Sequence, residues 1–219
     1  MKANEKTMIV HPDVVLVPYM KEHVEVLLLV YVLSALRFTG PQKYHEWMSD
    51  PELRELTASE PLTLEEEYEM QRKWRDDDDK LTFIVLAGAG ATATQPGPGL
   101  ATTQPMVGDV NLFLKGSPAD DDFEAEVEIM IAEPAHRRKG LAHAALQLLL
   151  AYATTALPVP VPRAALVARV AETNAPSIGL LEKLGFAVVR RVEVFGEVEM
   201  RYRGPATGGW VAGEVVALP

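Results

Sequence analysis

Two periods alternate along this chain, and the switches between them outline its elements. Val14 to Val17 is an apolar run closed by Pro18 and predicts a first strand. Leu81 to Ala87 and Val107 to Leu114 predict a hairpin. The stretch between them is low in complexity, built of Gly, Ala, Thr and Pro, and residues 88–106 read as a flexible loop. Glu124 to Ile131 alternates acidic and apolar positions as a half-buried strand does, and Ala165 to Val170 is a further strand. Phe186 to Phe195 and Val198 to Tyr202 predict a closing hairpin with Gly196 in its turn.

The helical period marks the rest. Tyr44 to Met48 is a short helix stopped near Asp50-Pro51. Thr63-Leu64-Glu65-Glu66 reads as a capping box that opens a helix running to about Arg75. Leu141 to Leu157 is a long apolar helix, and Asn174 to Leu184 a shorter one ended by Gly185. His23 to Phe38 reads as an apolar helix or buried segment. The tail, residues 204–219, is rich in Gly, Ala and Val and reads as mobile. The order predicts one mixed α/β domain around a single sheet, spanning residues 8–203.

Composition narrows the function. The 219 residues are enough to bury a core, and 48% are hydrophobic. There is no cysteine, which excludes disulfides, thiolate catalysis and cysteine zinc sites. The net charge of −10 argues against a nucleic-acid partner and favours a cationic or amine-bearing one. No secretory signal opens the chain. The apolar stretch from Val24 to Leu36 is interrupted by Glu25 and Ser34 and is shorter than the ~20 residues that span a bilayer. A soluble, cytoplasmic protein with no membrane partner is expected.

The strongest chemical signal is Arg137-Arg138-Lys139-Gly140-Leu141-Ala142, where a strand gives way to a helix. Such a turn aims backbone N–H groups and the positive end of the helix dipole at one point. Three cations there oppose that dipole, so they predict an anion such as a pyrophosphate. The alternative is a solvated basic flank, with Gly140 serving helix packing. On the strand before the turn, Glu126, Glu128 and Met130 share one face. The two carboxylates are candidates for proton abstraction, or are simply solvated glutamates. Asn174 is a good helix N-cap beside Pro176, and it also stands where an amide can fix a ligand. No metal-ligand cluster is evident, and no metal is expected.

Together these blocks resemble the GNAT superfamily of acyl-CoA-dependent N-acetyltransferases. Arg137, Gly140 and Ala142 match its phosphate signature. Asn174-x-x-Ser177 through Glu182-Lys183-Leu184-Gly185-Phe186 resembles its ribosomal-protein-alanine acetyltransferase branch. Leu16-Val17-Pro18-Tyr19, Tyr44-His45-Glu46-Trp47-Met48, Leu56 to Leu62, Gly108-Asp109-Val110-Asn111-Leu112-Phe113 and Glu128 to Pro134 are similar to the eukaryotic N-acetyltransferase 9-like proteins.

The resemblance implies a mixed, mostly antiparallel sheet of about seven strands, splayed at the cofactor site and flanked by about four helices. It implies acetyl-CoA as co-substrate and an amine of a protein or peptide as acceptor. Arg137, Arg138, Lys139, Gly140, Leu141 and Ala142 would hold the pyrophosphate. Met130, Ile131 and Ala132 would pair with the pantetheine arm where the family has a bulge, Asn174 and Ser177 would lie beside it, and Glu126 or Glu128 would take the amine proton. It also brings a possible cytoskeletal partner. Two departures stand out. Leu181 occupies the position of the family's usual proton-donating tyrosine, which leaves open a CoA-binding protein with little or no turnover. Residues 25–42 interrupt an otherwise family-like sequence, as a lineage insertion or translated intron would; the alternative is an ordinary first helix.

Overall fold

The computed structural model describes residues 2–21, 43–57, 59–88, 104–204 and 209–218. Residues 25–42 and the helix expected from His23 to Phe38 lie outside the described residues, as do residues 89–103 of the expected loop. The chain begins with two strands, β1 (Thr7–Val10) and β2 (Val14–Pro18). Three helices follow: α1 (Lys43–Ser49), α2 (Pro51–Leu56) and α3 (Leu64–Asp76). Then come β3 (Lys80–Ala87), β4 (Met106–Lys115), β5 (Glu124–Ile131) and α4 (Leu141–Thr155). The chain ends with β6 (Leu166–Ala171), α5 (Ala175–Lys183), β7 (Phe186–Val192), β8 (Glu197–Tyr202) and β9 (Glu214–Ala217).

Local chemistry sets the helix starts. Thr63 and Glu66 form the expected capping box: Glu66 N donates to Thr63 Oγ1 at 3.3 Å, and Thr63 N donates to Glu66 Oε2 at 2.8 Å. Asp50 separates α1 from α2 and caps the latter, its Oδ1 accepting from Glu52 N at 2.9 Å. The structure has five α-helices among the described residues against about four expected.

The nine strands form one sheet in the order β7-β8-β6-β5-β4-β3-β2-β1-β9. Every neighbouring pair is antiparallel except β5 with β6. The sheet is larger than the seven strands expected because its far edge is extended twice. β1 pairs β2, and β9 pairs β1 from Thr7↔Ala217 to Val10↔Glu214. The Glu214–Ala217 segment of the tail, which the sequence marks as mobile, is a strand. Val215 there is 52% exposed, so β9 owes its place to the backbone ladder on an otherwise open edge more than to burial.

Each face of the sheet carries its own apolar cluster. α4 and α5 cover one face, with Leu146, Leu148, Leu149, Leu181 and Leu184 packed on Leu16, Phe83, Val110, Val127 and Leu166. α1 to α3 cover part of the other, where Tyr44, Trp47, Met48 and Leu53 meet Val15, Val17, Ile84, Met106 and Met130. α4 is buried around most of its circumference, which is why its sequence is apolar on nearly every side. No helix among the described residues is long and apolar enough to cross a membrane.

Candidate functional site

The sheet splits between β5 and β6. The two strands pair only at Ala125↔Leu166 and Glu126↔Val167. Beyond that point β5 pairs only with β4, and β6 only with β8. Because β5 and β6 run parallel, their C-terminal ends open on the same side, and the turns leading into α4 and α5 flank one cleft.

The backbone of β5 shows which groups face it. A Cβ built on Gly108 of β4 would lie 1.8 Å from the Met130 carbonyl oxygen, so that carbonyl points at β4. The next carbonyl, that of Ile131, points away and accepts from Arg137 Nε at 2.9 Å. Alternation therefore turns the N–H groups of Ile129 and Ile131 into the split, while those of Met130 face β4. The N–H groups of Ala132 and Glu133 share the Val107 carbonyl at 2.9 and 3.3 Å, a bulge that ends the strand. Of the three residues expected along a pantetheine arm, only Ile131 offers its backbone to the cleft; Met130 and Ala132 are committed to β4. Gly108→Ala forces the Met130 backbone to move, and is expected to lower stability by about 2 kcal/mol or more in urea denaturation.

The turn leaves its backbone N–H groups open. Arg138 (φ 61°) and Gly140 (φ 81°) both lie in the left-handed region, and apart from the adjoining residues of the turn no atom of the described residues lies within 4 Å of where a Gly140 Cβ would stand. Gly140 occupies the N-cap of α4 without a side-chain hydrogen bond. Among the described residues no backbone acceptor meets the N–H groups of residues 138 to 143, and the first helical bond runs from Ala144 N to the Gly140 carbonyl at 3.0 Å. Leu141 is buried beneath the turn, and Ala142 presents only a methyl group beside it. The residues thus fit a pyrophosphate. The Arg137 side chain does not take part: it folds back onto the carbonyls of Ile131 and Ala132, at 2.9 and 3.1 Å. Arg138 and Lys139 remain the exposed cations at the mouth.

Across the cleft, Asn174 Oδ1 accepts from Ser177 N at 3.2 Å and caps α5. That leaves its amide nitrogen as the group a ligand can meet. Leu181 is 4% exposed and packs in the core with Leu184 and Phe186, so the position of the family's tyrosine holds a core side chain.

The two glutamates have different surroundings. Glu126 is 8% exposed; Arg169 Nη1 donates to it at 2.7 Å and Lys115 Nζ also bonds it. Glu128 opens to solvent at the cleft yet is crowded by protein. Loss of hydration, then the negative charges of Glu126 and Asp109, push its carboxyl up to about 7, against the pull of Lys115. A carboxylate near neutrality with no ion-pair partner among the described residues suits proton abstraction.

Sequence reasoning assigned no role to Asp109 and Asn111, although Gly108-Asp109-Val110-Asn111 places two polar residues in an apolar strand. Asn111 stands opposite Glu128 and donates to Asp109 Oδ2 at 2.9 Å. Asp109 is 4% exposed, and burial pushes its carboxyl up to about 6, against the Asn111 bond and the nearby Tyr44 hydroxyl. Its proton is held more tightly folded than unfolded. The stability it contributes is full below about pH 4 and is lost as pH rises through about 6. Asp109→Asn is expected to flatten that decline. Relative to wild type, the variant should gain on the order of 2 kcal/mol between pH 4 and pH 7 in denaturant titrations.

Comparisons with known proteins give the family. Residues 33–187 match the family model described as the acetyltransferase (GNAT) domain. The chain is 43% identical over 201 residues to the human alpha/beta-tubulin-N-acetyltransferase 9, covering 92% of this chain and 85% of that protein. It is 43% identical over 211 residues to the Drosophila melanogaster protein of the same name, covering 96% and 92%. An N-acetyltransferase 9-like protein of Schizosaccharomyces pombe is 36% identical, covering 91% and 97%. Among solved structures, spermidine N-acetyltransferase from Vibrio cholerae in complex with CoA and spermine superposes with a TM-score of 0.56 at 22% identity, covering 73% of this chain and 86% of that one. A GNAT-family acetyltransferase from Bordetella pertussis gives 0.56 at 18% identity, covering 90% and 99%.

Proposed function

The chain belongs to the N-acetyltransferase 9-like branch of the GNAT acetyltransferases, and from that premise we propose that it moves an acetyl group from acetyl-CoA to an amine of a protein of the tubulin class. The observation that carries the donor is the combination of an uncapped helix N-terminus with a strand edge open to the cleft. The protein acceptor rests on the names of the relatives, and the acidic chain favours an approaching ammonium.

In this reading the N–H groups of residues 138 to 143, with Arg138 and Lys139, hold the pyrophosphate. The Ile129 and Ile131 N–H groups align the pantetheine arm and polarise the thioester carbonyl as charge develops on its oxygen. Asn174 Nδ2 and the N-terminal turn of α5, where Ser177 lies, border the arm on the other side. Glu128, directly or through a water, takes the proton from the attacking amine nitrogen. The new amide bond forms as the carbon–sulfur bond breaks, and CoA leaves as a thiolate. Leu181 supplies no proton to that sulfur, and a thiolate can leave without one.

The buried Leu181 also favours a second reading, a protein that binds CoA with little turnover. One experiment separates them: incubation of the full chain with acetyl-CoA and tubulin, or peptides bearing its N-termini, followed by mass spectrometry and thiol release. Acetylation of tubulin is the expected result. Thiol release with other amines but no acetyl group on tubulin overturns the acceptor assignment. Thermal stabilisation by acetyl-CoA without any acetyl transfer favours the binder.

A further inference from the structure

The split in the sheet is bridged on one face by side chains. Arg169 projects from β6 just past the last paired residues, where the backbones of β5 and β6 have already parted. Its guanidinium reaches back to β5, donating through Nη1 to Glu126 at 2.7 Å and through Nη2 to Glu124 at 2.8 Å. Glu199 of β8 lies 3.5 Å from the same Nη2 and also accepts from Arg190 and Arg201, at 2.8 and 2.9 Å. Lys115, at the end of β4, binds Glu126 from the opposite side. Glu126 is thus fixed by two cations from the two neighbouring strands, while Glu128, two residues along the same face, has no ion-pair partner among the described residues.

We propose that Glu126 is a positioning charge for Glu128, clamped across the split by Arg169 and Lys115, and is not a second base. The proposal rests on the reading of Glu128 as the group that takes the amine proton. A carboxylate already bound by a guanidinium and an ammonium is a poor proton acceptor, because protonation would strand both cations. Its charge is nevertheless felt by a neighbour on the same face. The charged or titratable groups facing Glu128 among the described residues are Glu126 on its own strand, Asp109 and Lys115 on β4, and Tyr44 on α1. Glu126 and Asp109 act to keep the Glu128 proton on, and Lys115 acts to remove it. Arg169 matters through Glu126, by holding that side chain in place.

The clamp makes predictions of opposite sign. Glu126→Gln removes a negative charge and frees Lys115 to act on Glu128. The acid limb of the kcat/KM profile should then move to lower pH by roughly half a unit to one unit. Lys115→Met leaves the Glu126 charge less compensated and should move the limb to higher pH. The direct readout is the Glu128 carboxyl titration followed by carbon-13 NMR in the full chain without co-substrate, where the two variants should shift the midpoint in the same opposite directions. Midpoints that stay put, or that move the same way in both variants, overturn the proposal. Opposite NMR shifts with an unmoved rate profile uphold the clamp and remove Glu128 as the base, so the two readings fail separately.

Discussion

Gly140→Asp is expected to weaken acetyl-CoA binding by roughly 100-fold or more while leaving the protein folded. The variant separates the two because the site is hostile to the ligand's loss of space, not to the protein's. Apart from the adjoining residues, no atom of the described residues lies within 4 Å of the position a Cβ would take, so the new side chain meets open volume. The backbone is left-handed there (φ 81°), a conformation aspartate adopts at modest cost. Gly140 is also the N-cap of α4, and aspartate is among the best N-cap residues. Its carboxylate would accept from the first-turn N–H groups and favour the helix dipole. Those are the groups proposed to hold the pyrophosphate, and the added charge would repel that dianion. Isothermal titration calorimetry with acetyl-CoA, beside thermal unfolding, checks both halves. A variant that unfolds early without losing affinity for ligand would show that the turn serves packing alone. Gly140→Ala adds strain without charge and should lose far less affinity.

That turn was legible because its signal is local. Strand, glycine and helix start follow one another within a few residues, and the cations beside them have no structural use that a sequence alone reveals. The capping box at Thr63 and Glu66 and the Asn174 cap were legible for the same reason: each is a short-range bond between neighbours in the chain. The Asp50 cap, equally local, appeared in the sequence only as a helix stop. What the sequence hid is set by long-range pairing. β9 has only four residues, and its alternation gains meaning from the open edge of β1, more than 200 residues earlier in the chain. The Glu126–Arg169 bond joins residues 43 positions apart, so nothing near Glu126 announces that it is occupied. Arg137 carries the family's phosphate signature, yet its guanidinium closes the turn from behind. A motif gives residue types, and only the backbone path decides which of them face the ligand.

The same logic separates the two ends of the reaction. Binding draws on backbone groups, and any sequence that forms the split and the turn supplies them. Proton transfer depends on individual side chains, and here they depart from a common plan: Leu181 is core, Glu126 is ion-paired, and Asp109 is a buried acid beside the cleft. Under the proposed function binding is therefore the sturdier half, and turnover would rest on one carboxylate.

Glu128→Gln tests that carboxylate with the second large effect. A glutamine keeps the shape and the cross-strand position opposite Asn111 but cannot take a proton. Loss of a general base costs on the order of 10² to 10⁴ in rate, and the expected fall in kcat lies in that range. Acetyl-CoA affinity should be unchanged, since Glu128 lies along the strand from the turn proposed to hold the pyrophosphate. The pH profile carries the sharper evidence. With a carboxyl raised to about 7, wild-type kcat/KM should climb as pH rises through neutrality, when the base form accumulates, and level off above it. In the variant that limb should vanish and leave a slow rate set by the amine's own ionisation. A variant that keeps both the limb and the rate would assign the proton to another acceptor. Asp109 would then be next in line, since it is the other carboxyl on this face held near neutrality and free of a cation partner among the described residues.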